Sequence, residues 1–311
     1  MTETSSTPSW FEHLPPEPLF VAGDYLRDVA TIFTKRSDML AKQSVSPLAS
    51  APSYQIVGRT AIIPVRGVLV DFGYVDLSAF GATSYGFFVL SIEMAAADKR
   101  VDRIIISVNS PGGMVSGSDS AVDAVRAAKV IKRVDGHVEG LCCSAAFLIC
   151  SQASDIVLTR GSVVGSIGVV VKHLNVAGAL AREGIEVTLV SAGAQKTDGH
   201  PFGPLSKSVR ADWQVEVDDI RIGLANDIAE GRGARLSATA ALATEAKMYR
   251  ARIHSTGRSE AIDAGLADRI GTLRDMLASA IAPSPFSATK EIHFYDHNIH
   301  RQDHRRHSSD L

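Results

Sequence analysis

From Tyr54 onward the apolar positions fall into two alternating textures. TAIIPVRGVLV (60–70) is rich in β-branched residues, VLSIEMAAAD (89–98) is helical in texture, and VDRIIISVNSPGG (101–113) is a continuous apolar run that ends in a turn. This is a βαβ rhythm, and a second cycle follows it. The second cycle has a helix from Ser116 to Arg133 with a Ser/Asp-rich start, a short strand from His137 to Leu141, and a helix that begins near Ser144. DIVLT (155–159) and GIEVTLVSA (184–192) predict further strands. Continuous apolar strands alternating with helices predict an α/β fold, a mostly parallel sheet flanked by helices. Between Lys207 and Gly231 the residues Val209, Trp213, Val217, Ile220, Leu224 and Ile228 mark one face of a long amphipathic helix. Shorter helices run on to about Ala282.

Both ends break the rhythm, which predicts an arm over 1–53, a body over 54–282 and a tail over 283–311. Six of the twelve prolines fall in the first 52 residues, so the arm is broken by turns. One helix is expected within it, because Tyr25, Leu26, Val29, Ile32, Phe33, Met39 and Leu40 recur mostly at helical spacing between Asp24 and Gln43. Its apolar face fits packing on the body or docking on a neighbouring subunit. The tail holds five of the ten histidines without a periodic apolar pattern, which predicts a mobile, solvated segment rather than a metal site.

Composition narrows the function classes. A chain of 311 residues can bury a sizeable core, and 45% hydrophobic with 6% aromatic residues describes an ordinary globular protein. Lys and Arg number 32 against 34 Asp and Glu, so the charge that drives non-specific nucleic-acid binding is absent. The three cysteines, Cys142, Cys143 and Cys150, form neither a disulfide framework nor a paired metal motif, which fits a reducing cytoplasm. No secretory signal marks the start, and the apolar stretch GLCCSAAFLIC has eleven residues where a spanning helix needs about 20. No cofactor, metal or membrane anchor is expected.

Three segments at predicted strand ends carry candidate chemistry: NSPGG (109–113), CCSAAF (142–147) and AGAQKTDGHPFGPLS (192–206). Strand ends are where sites assemble in α/β sheets. Ser144 stands where a strand turns into an apolar helix, a place that suits a nucleophile and equally suits a helix N-cap. No GxSxG elbow surrounds it, which disfavours an α/β-hydrolase. Lys196 lies in a loop tightened by Gly193, Gly199, Pro201, Gly203 and Pro204. An ammonium acts as a base only where desolvation lowers its pKa, and a surface loop lysine is the plain alternative. His137, His173, His200 and His254 are further candidate bases without a distinctive spacing. The glycines of NSPGG permit close backbone approach and leave N–H groups at Gly113 or Met114 for a developing oxyanion, or they simply make a tight turn.

Taken in order, these segments resemble the signal peptide peptidase A family of serine proteases, whose fold is the spiral shared with the Clp protease and the crotonases. The resemblance rests on NSPGG at Asn109, SAAFLICSQASDIVLT at Ser144, GSVVGSIGVV at Gly161 and SAGAQKTDGHPFGPLS at Ser191, and covers about 56–277. Ser144-Ala145-Ala146-Phe147 and the ending MYRARIHSTGRSEAIDAGLADRIG are similar to the phage and prophage branch, the head maturation proteases. The resemblance implies a Ser144–Lys196 dyad, with N–H groups of Gly113, Met114 and Ser144 holding the oxyanion and Phe147 and Phe202 walling the substrate pocket. Asp198 and Ser166 would support the dyad or stabilise turns. It further implies a homo-oligomeric ring acting on phage scaffold and major capsid proteins, inside a procapsid in the host cytoplasm. Alternatives are a cytosolic peptidase that degrades signal peptides or fragments, a crotonase-like acyl-CoA enzyme, and a non-catalytic procapsid assembly or scaffold protein.

Overall fold

The computed structural model describes residues 18–21, 30, 54–252 and 259–281. Of the predicted arm helix only Ala30 is described, helical and buried in the main core cluster; the rest of that helix, the His-rich tail and His254 lie outside the described residues.

The described chain forms strands β1 (Leu19–Val21), β2 (Gln55–Val57), β3 (Thr60–Val70), β4 (Ala82–Ser84) and β5 (Arg103–Met114). Strands β6 (Arg133–Cys143), β7 (Ile156–Leu158), β8 (Val163–Gly165), β9 (Met248–Arg250) and β10 (Arg269–Ile270) complete one sheet. Its main path runs β10-β7-β6-β5-β3-β2, and every pair along it except β2–β3 is parallel. The sheet is therefore mostly parallel and mixed, as the βαβ pattern predicts.

Helices α1 (Tyr85–Ala97), α2 (Ser118–Ile131) and α3 (Ala145–Ser151) cover one face. The buried apolar residues of α2, Ala121, Val122, Ala124, Val125 and Ala128, recur at the helical period that places them over the strands. After α4 (Ala177–Arg182), the long α5 (Lys207–Arg232) begins at Ser206, whose hydroxyl caps the helix by accepting the N–H of Val209 at 3.2 Å. Short helices α6 (Ala238–Leu242) and α7 (Glu260–Asp263) follow, and α8 (Leu273–Ile281) closes the opposite face over Ile105 and Val157.

Two departures from the predicted pattern concern strands. β6 starts four residues before the expected His137, because Asp135 and His137 alternate with Val134 and Val138: the valines enter the main core while Asp135 and His137 are buried on the other face. GIEVTLVSA forms no strand; Ile185, Val187, Leu189 and Val190 are exposed on irregular chain, with no strand paired to them among the described residues.

The sheet breaks register along one line. Arg66 pairs Asn109 but Val68 pairs Gly112, and Val108 pairs Val138 but Ser110 pairs Cys142. These bulges turn the strand tips away from the body of the sheet.

Candidate active site

Ser144 sits beyond the break, in the turn between β6 and α3. It is fully buried with φ +54°, a conformation that costs a non-glycine residue on the order of 1–3 kcal/mol. Its side chain does not cap α3, so the N-cap alternative fails. Instead Oγ donates to the carbonyl of Gly168 at 3.3 Å, while the Ser144 N–H donates to the carbonyl of Gly165 at 2.8 Å. That N–H is engaged, which corrects its expected role as a free oxyanion donor.

The wall across from Ser144 is the tip of β5. NSPGG is not a strand-to-helix turn: β5 runs through it to Met114. Ser110 pairs with Cys142, which brings Gly112, Gly113 and Met114 alongside the serine turn. Gly113 is dictated by its neighbour on β3, because a Cβ there would lie 1.8 Å from the carbonyl oxygen of Leu69. Met114 is pinned twice: its carbonyl accepts the buried Tyr85 hydroxyl at 2.7 Å, and its sulfur accepts the Asp71 N–H at 3.4 Å. Burial pushes the Tyr85 hydroxyl well up, aided by Asp71 and Asp119, so it stays a donor. The other wall is Gly165–Val170, where Ser166 also has φ +54° and its N–H bonds the Lys247 carbonyl.

The structure does not join the predicted dyad. Lys196 is exposed in a run of turns, Lys196 N–H to Gly193 O, Asp198 N–H to Gln195 O and His200 N–H to Thr197 O. No hydrogen bond links Ser144 to a lysine or histidine side chain among the described residues. Asp198, His173 and His200 line a separate cavity of about 130 Å³ below this loop. Phe202 is 37% exposed beside His200, whereas Phe147 is fully buried in the core. Phe147 is therefore no wall of an open groove, since the short α3 is apolar on every side and sinks whole. Among the described residues no cluster of His, Cys, Asp or Glu could hold a metal, and no helix is long and apolar enough to cross a membrane.

Residues 126–283 match the model of peptidase family S49, a span that starts in α2 and includes Ser144, the Gly165–Val170 wall and Lys196. The chain belongs to peptidase family S49. Among family S49 relatives, it is 35% identical to the capsid assembly protease C of Escherichia phage lambda over 227 residues, 73% of this chain and 50% of that protein. It is 34% identical to the head-tail preconnector protein GP5 of Enterobacteria phage P21 over 225 residues, 72% of this chain and 43% of that protein. The chain thus spans about half the length of these curated relatives. Overlaid on a ClpP1 mutant from Listeria monocytogenes, it gives a TM-score of 0.41 at 16% identity, over 71% of this chain and 95% of that one.

One feature of the described chain escaped sequence reasoning. β1 lies in the arm yet pairs with the β5 tip, and its signal is only the short apolar run PLFV between prolines and glycine. His137, one of the candidate bases, lies apart from Ser144: it is 1% exposed, neither ring nitrogen has a hydrogen-bond partner among the described residues, and its Nδ1 is 3.5 Å from Glu139 Oε1.

Proposed function

We propose that this chain is a serine endopeptidase that cuts phage scaffold and capsid proteins during head maturation, with Ser144 as nucleophile and Lys196 as general base. The observation that carries the reading is Ser144 itself: strained, released from capping, and held between two backbone walls. Family membership supports peptide hydrolysis, and the names of the two phage relatives support the substrate class. In the reaction Lys196 Nζ takes the Ser144 Oγ proton as Oγ bonds to the peptide carbonyl carbon. The N–H of Gly113 holds the oxyanion, the C–N bond breaks as the amine takes the proton, and water then releases the acyl group.

Lys196 reaches Ser144 on assembly. The chain leading to it exposes Ile185, Val187, Leu189 and Val190, and burial of these against further copies in a ring is the event that encloses the lysine. Wild type, Ser144→Ala and Lys196→Ala are to be incubated with co-expressed scaffold or major capsid protein and with casein, and the products weighed intact. The expected result is cleavage by wild type and a loss on the order of 10³-fold or more in each variant. Full activity in either variant overturns the dyad, and equal cutting of casein redirects the reading to a general peptidase. Light scattering that shows a monomer at all concentrations removes the ring.

A further inference from the structure

We propose that the chain's own segment Pro18–Val21 is a substrate-like strand that fills the peptide groove beside Ser144 and holds it shut, so that the groove selects extended peptides with a large aliphatic side chain at the Leu19 position. This rests on the peptidase reading above. β1 runs antiparallel to the β5 tip with Leu19 opposite Met114, Phe20 opposite Gly113 and Val21 opposite Gly112. On its other edge Leu19 N–H donates to the Val170 carbonyl at 2.9 Å, and Val170 N–H donates to the Leu19 carbonyl at 3.0 Å. Val115 N–H donates to the Pro18 carbonyl at 3.4 Å, and the alternation of an antiparallel ladder then turns the Phe20 carbonyl toward the Gly113 N–H, a predicted oxyanion donor.

Both walls that β1 bridges adjoin the nucleophile. Val170 lies two residues beyond Gly168, whose carbonyl takes the Ser144 hydroxyl, and Gly112 lies two beyond Ser110, the partner of Cys142. Without β1 each wall would present unpaired backbone groups to solvent, the template to which an extended peptide adds as a strand. Leu19 is 3% exposed and packs into the main core cluster, so the groove already holds a leucine-sized pocket. β1 is three residues long and lies off the main path of the sheet, and eight residues separate Val21 from Ala30, which is buried in the main core cluster. A tethered strand competes at about millimolar effective concentration, enough to exclude weakly bound free peptide.

The test uses full-length protein carrying Ser144→Ala, alone or with Leu19→Asp or the milder Leu19→Gly, and a fluorescent peptide PPEPLFVAGD. The peptide should bind both Leu19 variants at least about tenfold tighter than the Ser144→Ala parent. The same peptide with Leu19→Asp should bind none. Amide exchange at Val115 and Val170 should be slow in the parent, about tenfold faster in the variants, and slow again with peptide. Equal peptide affinity across the three proteins, or unchanged exchange, overturns the occlusion. With Ser144 intact, Leu19→Gly should raise kcat/KM on a short peptide about tenfold. Peptide binding as expected with no cleavage by any variant leaves the occlusion standing and removes the peptidase reading. Cleavage at the wild-type rate by the Leu19 variants does the reverse.

Discussion

Asp268→Ala removes the anchor of the longest helix. Arg232, at the end of α5, is fully buried and donates to both Asp268 oxygens at 2.9 and 3.0 Å. The same carboxylate accepts the Ile156 N–H at 2.7 Å and Arg235 Nη1 at 2.9 Å, so one side chain ties α5 to β7 and to the turn before β10. In the variant Arg232 retains only the Gly265 carbonyl at 2.9 Å among these partners. An uncompensated buried charge costs about 3–5 kcal/mol, and at roughly 2–4 °C per kcal/mol for a domain of this size the melting midpoint should fall by about 6–20 °C. Asp268→Asn keeps an acceptor and should lose about half as much. Burial pushes the Asp268 carboxyl up, but hydrogen bonds from Arg232, the Ile156 N–H and Arg235 outweigh it and hold it below the usual range. A depressed carboxylate stabilises fully above its unfolded value of about 3.9 and loses that contribution as pH falls through the lower folded value. The gap between wild type and Asp268→Asn in calorimetry should therefore narrow below about pH 4. A midpoint within about 2 °C of wild type at pH 7, or a gap constant down to pH 3, refutes the reasoning.

Three further outcomes follow from the same structure. Gly113→Ala places a Cβ against the Leu69 carbonyl and should cost about 3 kcal/mol, the upper end of the usual overpacking range, read as a fall in urea midpoint; a native midpoint contradicts the clash. Desolvation holds the His137 imidazole below its ordinary pKa despite Glu139, so stability is lost as pH falls below about 6.5, and His137→Leu should flatten the melting midpoint between pH 7 and 5. A variant as acid-sensitive as wild type would show that another group titrates there. Burial pushes the Cys143 thiol up to about 12 and Cys142 well above its usual value, so iodoacetamide should leave the native protein unlabelled and fully active, with all three thiols reacting in guanidinium. Rapid native labelling with loss of activity would point to a cysteine near the chemistry.

The scaffold was legible because its elements bury repetitive surfaces: Ile104 to Val108 reads as a strand covered on both faces, and the Val209 to Ile228 spacing reads as a helix. GIEVTLVSA read as a strand for the same reason, but strand texture states only what a segment could pair with, and among the described residues no strand pairs with it. β6 was read short because Asp135 and His137 look like loop residues until Arg103 and Arg133 are seen to cover Asp135. Ser144 was legible as a position in the chain, yet its release from capping depends on Gly165 and Gly168, brought near only by the fold. β1 has three residues and no period, so its place was set by two distant backbone edges rather than by its own composition.

The register break divides the molecule by what a substitution can change. Below Arg66 and Val108 the strands are locked between helices, and replacements there are paid in melting temperature. Beyond it, residues 109–116, 139–144 and 163–170 form a rim that carries the ladder on in a shifted register. Such a joint lets selection recut the rim for a new target while the foundation stays as it was, and it gives protein engineers a natural seam along which to diversify specificity.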